Sequence, residues 1–207
     1  MTILFVILEF LCGSIMFSYW LGLLTKKDLR QIGDGNPGGY NLIHATGFRI
    51  GILGVFLDFL KGFFPLALLL SQGWVKGPAI IPVAMAPILG HAFSPFMKFK
   101  GGKAIAVTFG VWSAVSRFEV SFVYAIILAV FSISAKIFKA GKYDNSDTNG
   151  VMVVIGILIL GIYLIFREYS IYIILLWVAN SLILIYTNIM KLYKTLKVFT
   201  GNAHRSA

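Results

Sequence analysis

Apolar runs of about 20 residues recur along the whole chain with little charge inside them, and nothing else constrains its fold as strongly. A run of that length crosses a bilayer as a helix. Five are readily placed, at 3–24, 48–71, 78–97, 149–166 and 169–190. Of the 207 residues, 58% are hydrophobic and 13% charged. A soluble domain carries about 25% charged residues, so disorder, a disulfide scaffold and an ordinary soluble enzyme are all excluded. The first run has no basic lead-in and no small-residue cleavage site, and it reads as a retained span rather than a signal peptide. Cys12, the single cysteine, lies within it, so no intrachain disulfide can form.

The stretch 104–138 decides the topology. As one helix it would be about 52 Å long, far beyond a hydrocarbon core of about 30 Å. Arg117 and Glu119 divide it into two short apolar halves. With seven spans and a cytoplasmic C-terminus, the inner loops hold Lys26, Lys27, Arg30, Arg49, Lys98, Lys100, Lys103, Lys136, Lys139, Lys142, Lys191, Lys194, Lys197 and Arg205. The outer loops hold only Lys76, Arg117 and Arg167, and Lys61 sits inside a span. That asymmetry follows the positive-inside rule, and a single span over 104–138 erases it. The chain is therefore expected to be all-α, one integral-membrane domain over 1–207. It should form a helix bundle of about seven transmembrane helices, two of them short, in the cytoplasmic membrane with its N-terminus outside. The net charge of +10 then faces anionic headgroups, so membrane lipids and not nucleic acid are the expected partners.

Two polar segments carry the chemistry. Gly33-Asp34-Gly35-Asn36-Pro37-Gly38-Gly39-Tyr40-Asn41, in the first inner loop, is a backbone that turns tightly and presents N–H groups without obstruction. It reads either as a phosphate cradle or as a plain turn; the bracketing basic residues favour the cradle. Lys98-Phe99-Lys100-Gly101-Gly102-Lys103 opens the fourth span. Consecutive glycines at a helix start expose N–H groups where the dipole favours an anion, and Lys103 adds a full charge. As a bare lysine cluster the same segment would only mark topology.

Asp58 and Lys61 lie one helical turn apart in the second span. At mid-membrane they should pair and face the interior, either as a structural ion pair or as part of a site. His91 is a candidate acid–base group or a hydrogen-bonded core histidine, His44 ends the first loop, and His204 lies in the tail. No cluster of metal-ligand spacing accompanies them, and neither a metal nor a cofactor is expected.

Together these motifs resemble the bacterial membrane glycerol-3-phosphate acyltransferases that use acyl phosphate. The resemblance is carried by Gly13-Ser14-Ile15, then Gly33-x-Gly35-Asn36-Pro37-Gly38-x-x-Asn41, then Asp58-Phe59-Leu60-Lys61-Gly62. The most specific piece is Gly90-His91-x-Phe93-x-Pro95-Phe96-x-x-Phe99-Lys100-Gly101-Gly102-Lys103. It covers 13–103 in the family's order. It implies a seven-helix fold that acylates the first hydroxyl of glycerol 3-phosphate to give lysophosphatidate, without metal. By the same resemblance Gly101, Gly102 and Lys103 hold a phosphate, with Lys103 and His91 as the catalytic candidates. Gly33, Asp34, Gly35, Asn36, Gly38, Asn41, His44 and Asn188 are the substrate-binding candidates.

Three positions depart from the family pattern. Asp34 stands for serine, His44 for arginine, and Tyr186-Thr187 for a basic pair before Asn188-Ile189. Each change is expected to weaken phosphate binding, since a carboxylate repels a dianion and histidine lacks a permanent fork donor. The expected partners are acyl phosphate and glycerol 3-phosphate or another polyol. A non-catalytic lipid-binding paralogue is the reading from a different class.

Overall fold

A computed structural model describes residues 1–137 and 145–199, the backbone alone at 145–149 and 198–199. Lys139, Lys142, His204 and Arg205 lie outside the described residues, as do 139–144 of the polar connection before the sixth span. Helices are the only regular elements among the described residues, and the α-helices are α1 (Thr2–Ser14), α2 (Phe17–Leu24), α3 (Gly39–Thr46), α4 (Phe48–Ser71), α5 (Ile80–Ala92), α6 (Ile105–Ser116), α7 (Glu119–Ile137), α8 (Asn145–Phe166) and α9 (Ile171–Phe199). Five spans are long and apolar enough to cross a membrane, and two shorter apolar helices, Ile105–Ser116 and Gly150–Phe166, complete the expected seven. The break in 104–138 falls at Arg117 and Phe118, both with positive φ. It lies a few residues before the middle of that stretch. Consequently α6 is short as expected, whereas α7, at 19 residues, is long enough to cross.

Helices pack where small residues let backbones meet. A Cβ on Gly13 would lie 2.2 Å from the Pro87 carbonyl oxygen, and one on Gly90 would lie 2.2 Å from that of Phe10, so α1 and α5 touch through both. Gly62 and Gly110 do the same for α4 and α6, against Val107 and Phe59. With lipid tails as apolar as any side chain, such close van der Waals contact is what holds membrane helices together. One set of polar side chains inside the bundle pairs internally. Trp112 Nε1 donates to Asn180 Oδ1 at 2.9 Å and Asn180 Nδ2 to Thr108 Oγ1 at 3.2 Å, which ties α6 to α9.

The first span is broken where the sequence suggested one helix. Between α1 and α2, Ile15 is extended and Met16 leaves helical geometry, so a helix end and a helix start are both stranded in the membrane. Asp58 and Lys61 of α4 supply what is missing. Lys61 Nζ donates to the Ile15 carbonyl, while Asp58 Oδ2 accepts from the Ser18 amide at 3.3 Å and its hydroxyl at 2.5 Å. The two residues also pair at 2.8 Å, with side chains only 1% and 2% exposed. One ion pair thus caps a helix C-terminus and the next N-terminus. Lys61→Met should strip the cap and leave a buried carboxylate unpaired, lowering stability by roughly 3–5 kcal/mol. Asp58→Asn with Lys61→Met should cost less than Lys61→Met alone; unfolding in detergent, followed for both proteins, checks the order.

Candidate active site

A cavity of about 660 Å³ opens between α4, α6 and the first inner loop. Its apolar wall is a stripe at helical spacing on α4, namely Ile52, Val55, Phe56 and Phe59, faced by Ile105, Ala106 and Phe109 of α6. That stripe runs about 10 Å along α4, beginning one turn from its start. The polar lining is Asp34, Asn36, Asp58, His91, Lys103 and Asn188. Its volume suits a small ligand or part of a lipid.

The first loop is shaped from within. Gly33 and Gly35 take φ of 56° and 70°, where a side chain is strained. Asn41, 1% exposed at the start of α3, is the hub. Its Nδ2 donates to the Ile32 carbonyl at 2.7 Å, the Asn36 carbonyl at 2.9 Å and Asp34 Oδ1 at 3.1 Å. Asp34 Oδ1 also accepts from the Asn36 amide at 3.2 Å. Asn41 is thus a scaffold of the loop. Arg30 donates to the Lys100 carbonyl, tying this loop to the glycine-lysine segment.

That segment differs from the sequence expectation. The Gly101 amide donates to the Ala92 carbonyl and the Gly102 amide to that of His91, each at 3.0 Å, so neither is open to an anion. The helix begins only at Ile105. Glycine is required for a steric reason: a Cβ on Gly101 would lie 1.9 Å from the His91 oxygen, and one on Gly102 2.5 Å from His91 Nε2. The pair folds the chain back onto the end of α5 and so delivers Lys103. The amides with no intrahelical acceptor are those of Ile105, Ala106 and Val107, because Thr108 is the first to donate back, to Ala104 at 2.9 Å.

Asp34 and Lys103 meet directly. Lys103 Nζ lies 2.6 Å from Asp34 Oδ2, and Lys191 Nζ, from the last turns of α9, lies 3.3 Å from the same oxygen. Partial burial works to raise the Asp34 carboxyl, but the Lys103 hydrogen bond and charge, the Asn36 amide and Lys191 outweigh it and hold it well below the usual carboxylate range. Such a contribution is present above the ordinary aspartate value of about 3.9 and is lost only as pH falls through the depressed one. Between about pH 5 and 8 this tether does not weaken.

The remaining candidates divide. His91 lines the cavity, buried, and its Nδ1 has no hydrogen-bond partner. Asn188 is 1% exposed; its Nδ2 donates to the Leu184 carbonyl at 2.9 Å, while its Oδ1 is unpartnered. Asp58 faces the cavity, whereas Lys61 does not line it. His44 stands apart, exposed on α3 with its ring 4.5 Å from that of Tyr40, and it does not line the cavity. Lys191 was counted by sequence reasoning only as a topology lysine. Its spacing of three from Asn188, on one helix face, was the available signal.

Comparisons with known proteins agree over nearly the full chain. A family model described as glycerol-3-phosphate acyltransferase matches residues 3–197. Glycerol-3-phosphate acyltransferase 1 of Thermotoga maritima is 37% identical over 194 residues, covering 92% of this chain and 95% of its own length. The glycerol-3-phosphate acyltransferase of Endomicrobium trichonymphae is 32% identical over 196 residues, covering 92% and 91%. Among solved structures, the integral membrane glycerol 3-phosphate acyltransferase PlsY (YgiH) in its glycerol 3-phosphate form aligns with a TM-score of 0.80 at 28% identity, over 100% of this chain and 96% of that one. Its lysophosphatidic acid form gives 0.78 at 27%, over 100% and 95%.

From the geometry alone, Lys103→Ala should weaken the binding of phosphate-bearing ligands by at least about tenfold, the lower bound for losing a charged hydrogen bond. Lys98→Ala and His44→Ala, on side chains that are exposed and off the cavity, should each change it less than about twofold. Titrating glycerol 3-phosphate against the three purified variants checks the contrast.

Proposed function

The chain belongs to the glycerol-3-phosphate acyltransferase family, and on that premise we propose that it moves an acyl group from acyl phosphate onto glycerol 3-phosphate. The first hydroxyl attacks the acyl carbonyl, the bond to the phosphate oxygen breaks, and lysophosphatidate and inorganic phosphate leave. The site faces the cytoplasm, on the side holding most of the lysines and arginines.

The observation that carries this reading is the double character of the cavity. An apolar wall of Ile52, Val55, Phe56, Phe59 and Phe109 runs into the membrane, and Lys103, Asn36 and Asn188 line the same space. An amphiphile with a phosphate head and an acyl chain fits that division. Phosphate is already a good leaving group, so positioning and charge stabilisation by Lys103 suffice for most of the chemistry. His91 Nδ1, buried and unpartnered at the cavity wall, is the acceptor for the attacking hydroxyl's proton. Gly102 packs against the His91 ring and sets it one residue from Lys103.

Purified protein in lipid nanodiscs, given acyl phosphate and glycerol 3-phosphate, should form lysophosphatidate and release one inorganic phosphate per acyl group. His91→Ala should lower kcat by about a hundredfold, the lower range for a general base, with KM for glycerol 3-phosphate little changed. Transfer from an acyl thioester but not from acyl phosphate would overturn the donor. Faster transfer to an unphosphorylated polyol would overturn the acceptor.

A further inference from the structure

Resting on that functional reading, we propose that Lys191 is the second cation of the phosphate seat, and that the Asp34 carboxylate fills this seat until a substrate phosphate displaces it. The side chain of Lys191 is 9% exposed, while Lys194 and Lys197, further along the same helix, are exposed. It is therefore turned into the protein and does not serve as a solvated surface charge. Its ammonium group reaches the same Asp34 oxygen as that of Lys103, at 3.3 Å and 2.6 Å. Two cations, one from the segment just before α6 and one from α9, on one anionic oxygen make the geometry that a phosphate oxygen requires.

Two further observations bear on this assignment. Asn188, one turn before Lys191, lines the cavity with its Oδ1 unpartnered, though it is 1% exposed. His44, the first-loop position where a cation was expected, stands off the cavity; Lys191 does not line it either, but meets the lining residue Asp34 at 3.3 Å. Asp34 Oδ1 is held by the Asn36 amide and Asn41 Nδ2, so displacing the carboxylate gives up those two hydrogen bonds as well as its contacts with the lysines. A dianion outcompetes a single carboxylate for two ammonium groups, and on its arrival Asp34 swings out. The cost of that displacement falls on affinity.

Equilibrium binding of glycerol 3-phosphate and of inorganic phosphate to the full chain in nanodiscs, by calorimetry, tests both halves. Lys191→Ala should weaken both ligands by at least about tenfold, Lys191→Arg should restore binding to within about threefold, and Lys194→Ala should leave it unchanged. Asp34→Ser should tighten both by about tenfold, and adding Lys191→Ala should abolish that gain. Lys191→Gln, which keeps the side chain's length, repeats the first arm should the alanine variant fail to fold. Wild-type affinity in both Lys191→Ala and Lys191→Gln, or weaker binding in Asp34→Ser, would overturn the proposal. Acyl transfer measured in parallel separates the two claims. Phosphate binding with this pattern but no transfer sinks the function and spares the seat; transfer with unchanged KM in Lys191→Ala does the reverse.

Discussion

The pair of Asp58 and Lys61 is the interaction from which the rest of the site follows. Each charge costs about 2.5–3.5 kcal/mol near mid-membrane on insertion scales, and a buried pair often does no better than apolar residues of the same size. Stability is therefore a poor explanation for it. The pair does something apolar residues cannot: it satisfies the Ile15 carbonyl and the Ser18 amide, both stranded by the break between α1 and α2. Each such group left unpaired costs about 1–3 kcal/mol. The break in turn redirects the first span, and α2 ends where the inner loop begins. The glycine loop is aimed by an ion pair buried in α4, about 15 Å from the start of that helix.

At the cavity mouth the same economy applies to charge. Asp34, Lys103 and Lys191 sum to one net positive charge where two lysines alone would give two. In a site of effective dielectric about 20, unit charges 4 Å apart interact by about 4 kcal/mol, so the carboxylate is no small perturbation. With no ligand, it keeps two ammonium groups from repelling each other and fixes where they point. On the proposed reading, it opposes an incoming phosphate. Sequence comparison with the family pattern marks only the second effect; the first requires knowing that Lys191 arrives from α9.

What could be read from the sequence was whatever depends on residues near each other in the chain. The spans follow from hydropathy, and the division of 104–138 follows from Arg117 and Glu119 within an apolar stretch. The two polar segments were legible because glycine and lysine there have few structural uses. The errors came from partners far apart. Gly101 and Gly102 were read as open amides, yet carbonyls of Ala92 and His91 take them, since the chain doubles back over α5. The first span was read as continuous because the residues that stabilise its break lie 40 and more positions later. Lys191 looked like the two other lysines of the tail, Lys194 and Lys197, until burial separated it from them.

The division of the cavity also determines where binding energy originates. Burying an acyl chain from water yields about 0.8 kcal/mol per methylene, but a lipid substrate comes from the bilayer, where its chain is already in hydrocarbon. Moving that chain against Ile52, Val55, Phe56, Phe59 and Phe109 therefore returns little net hydrophobic energy. The wall can orient a chain and limit its shape; it cannot hold it tightly. On the proposed reading affinity comes from the polar end, where a phosphate would leave water for two ammonium groups and the asparagine side chains beside them. The apolar wall, by contrast, needs only bulk and helical spacing. A change of acceptor in such a protein needs only a few residues at the membrane face and leaves the helix packing untouched.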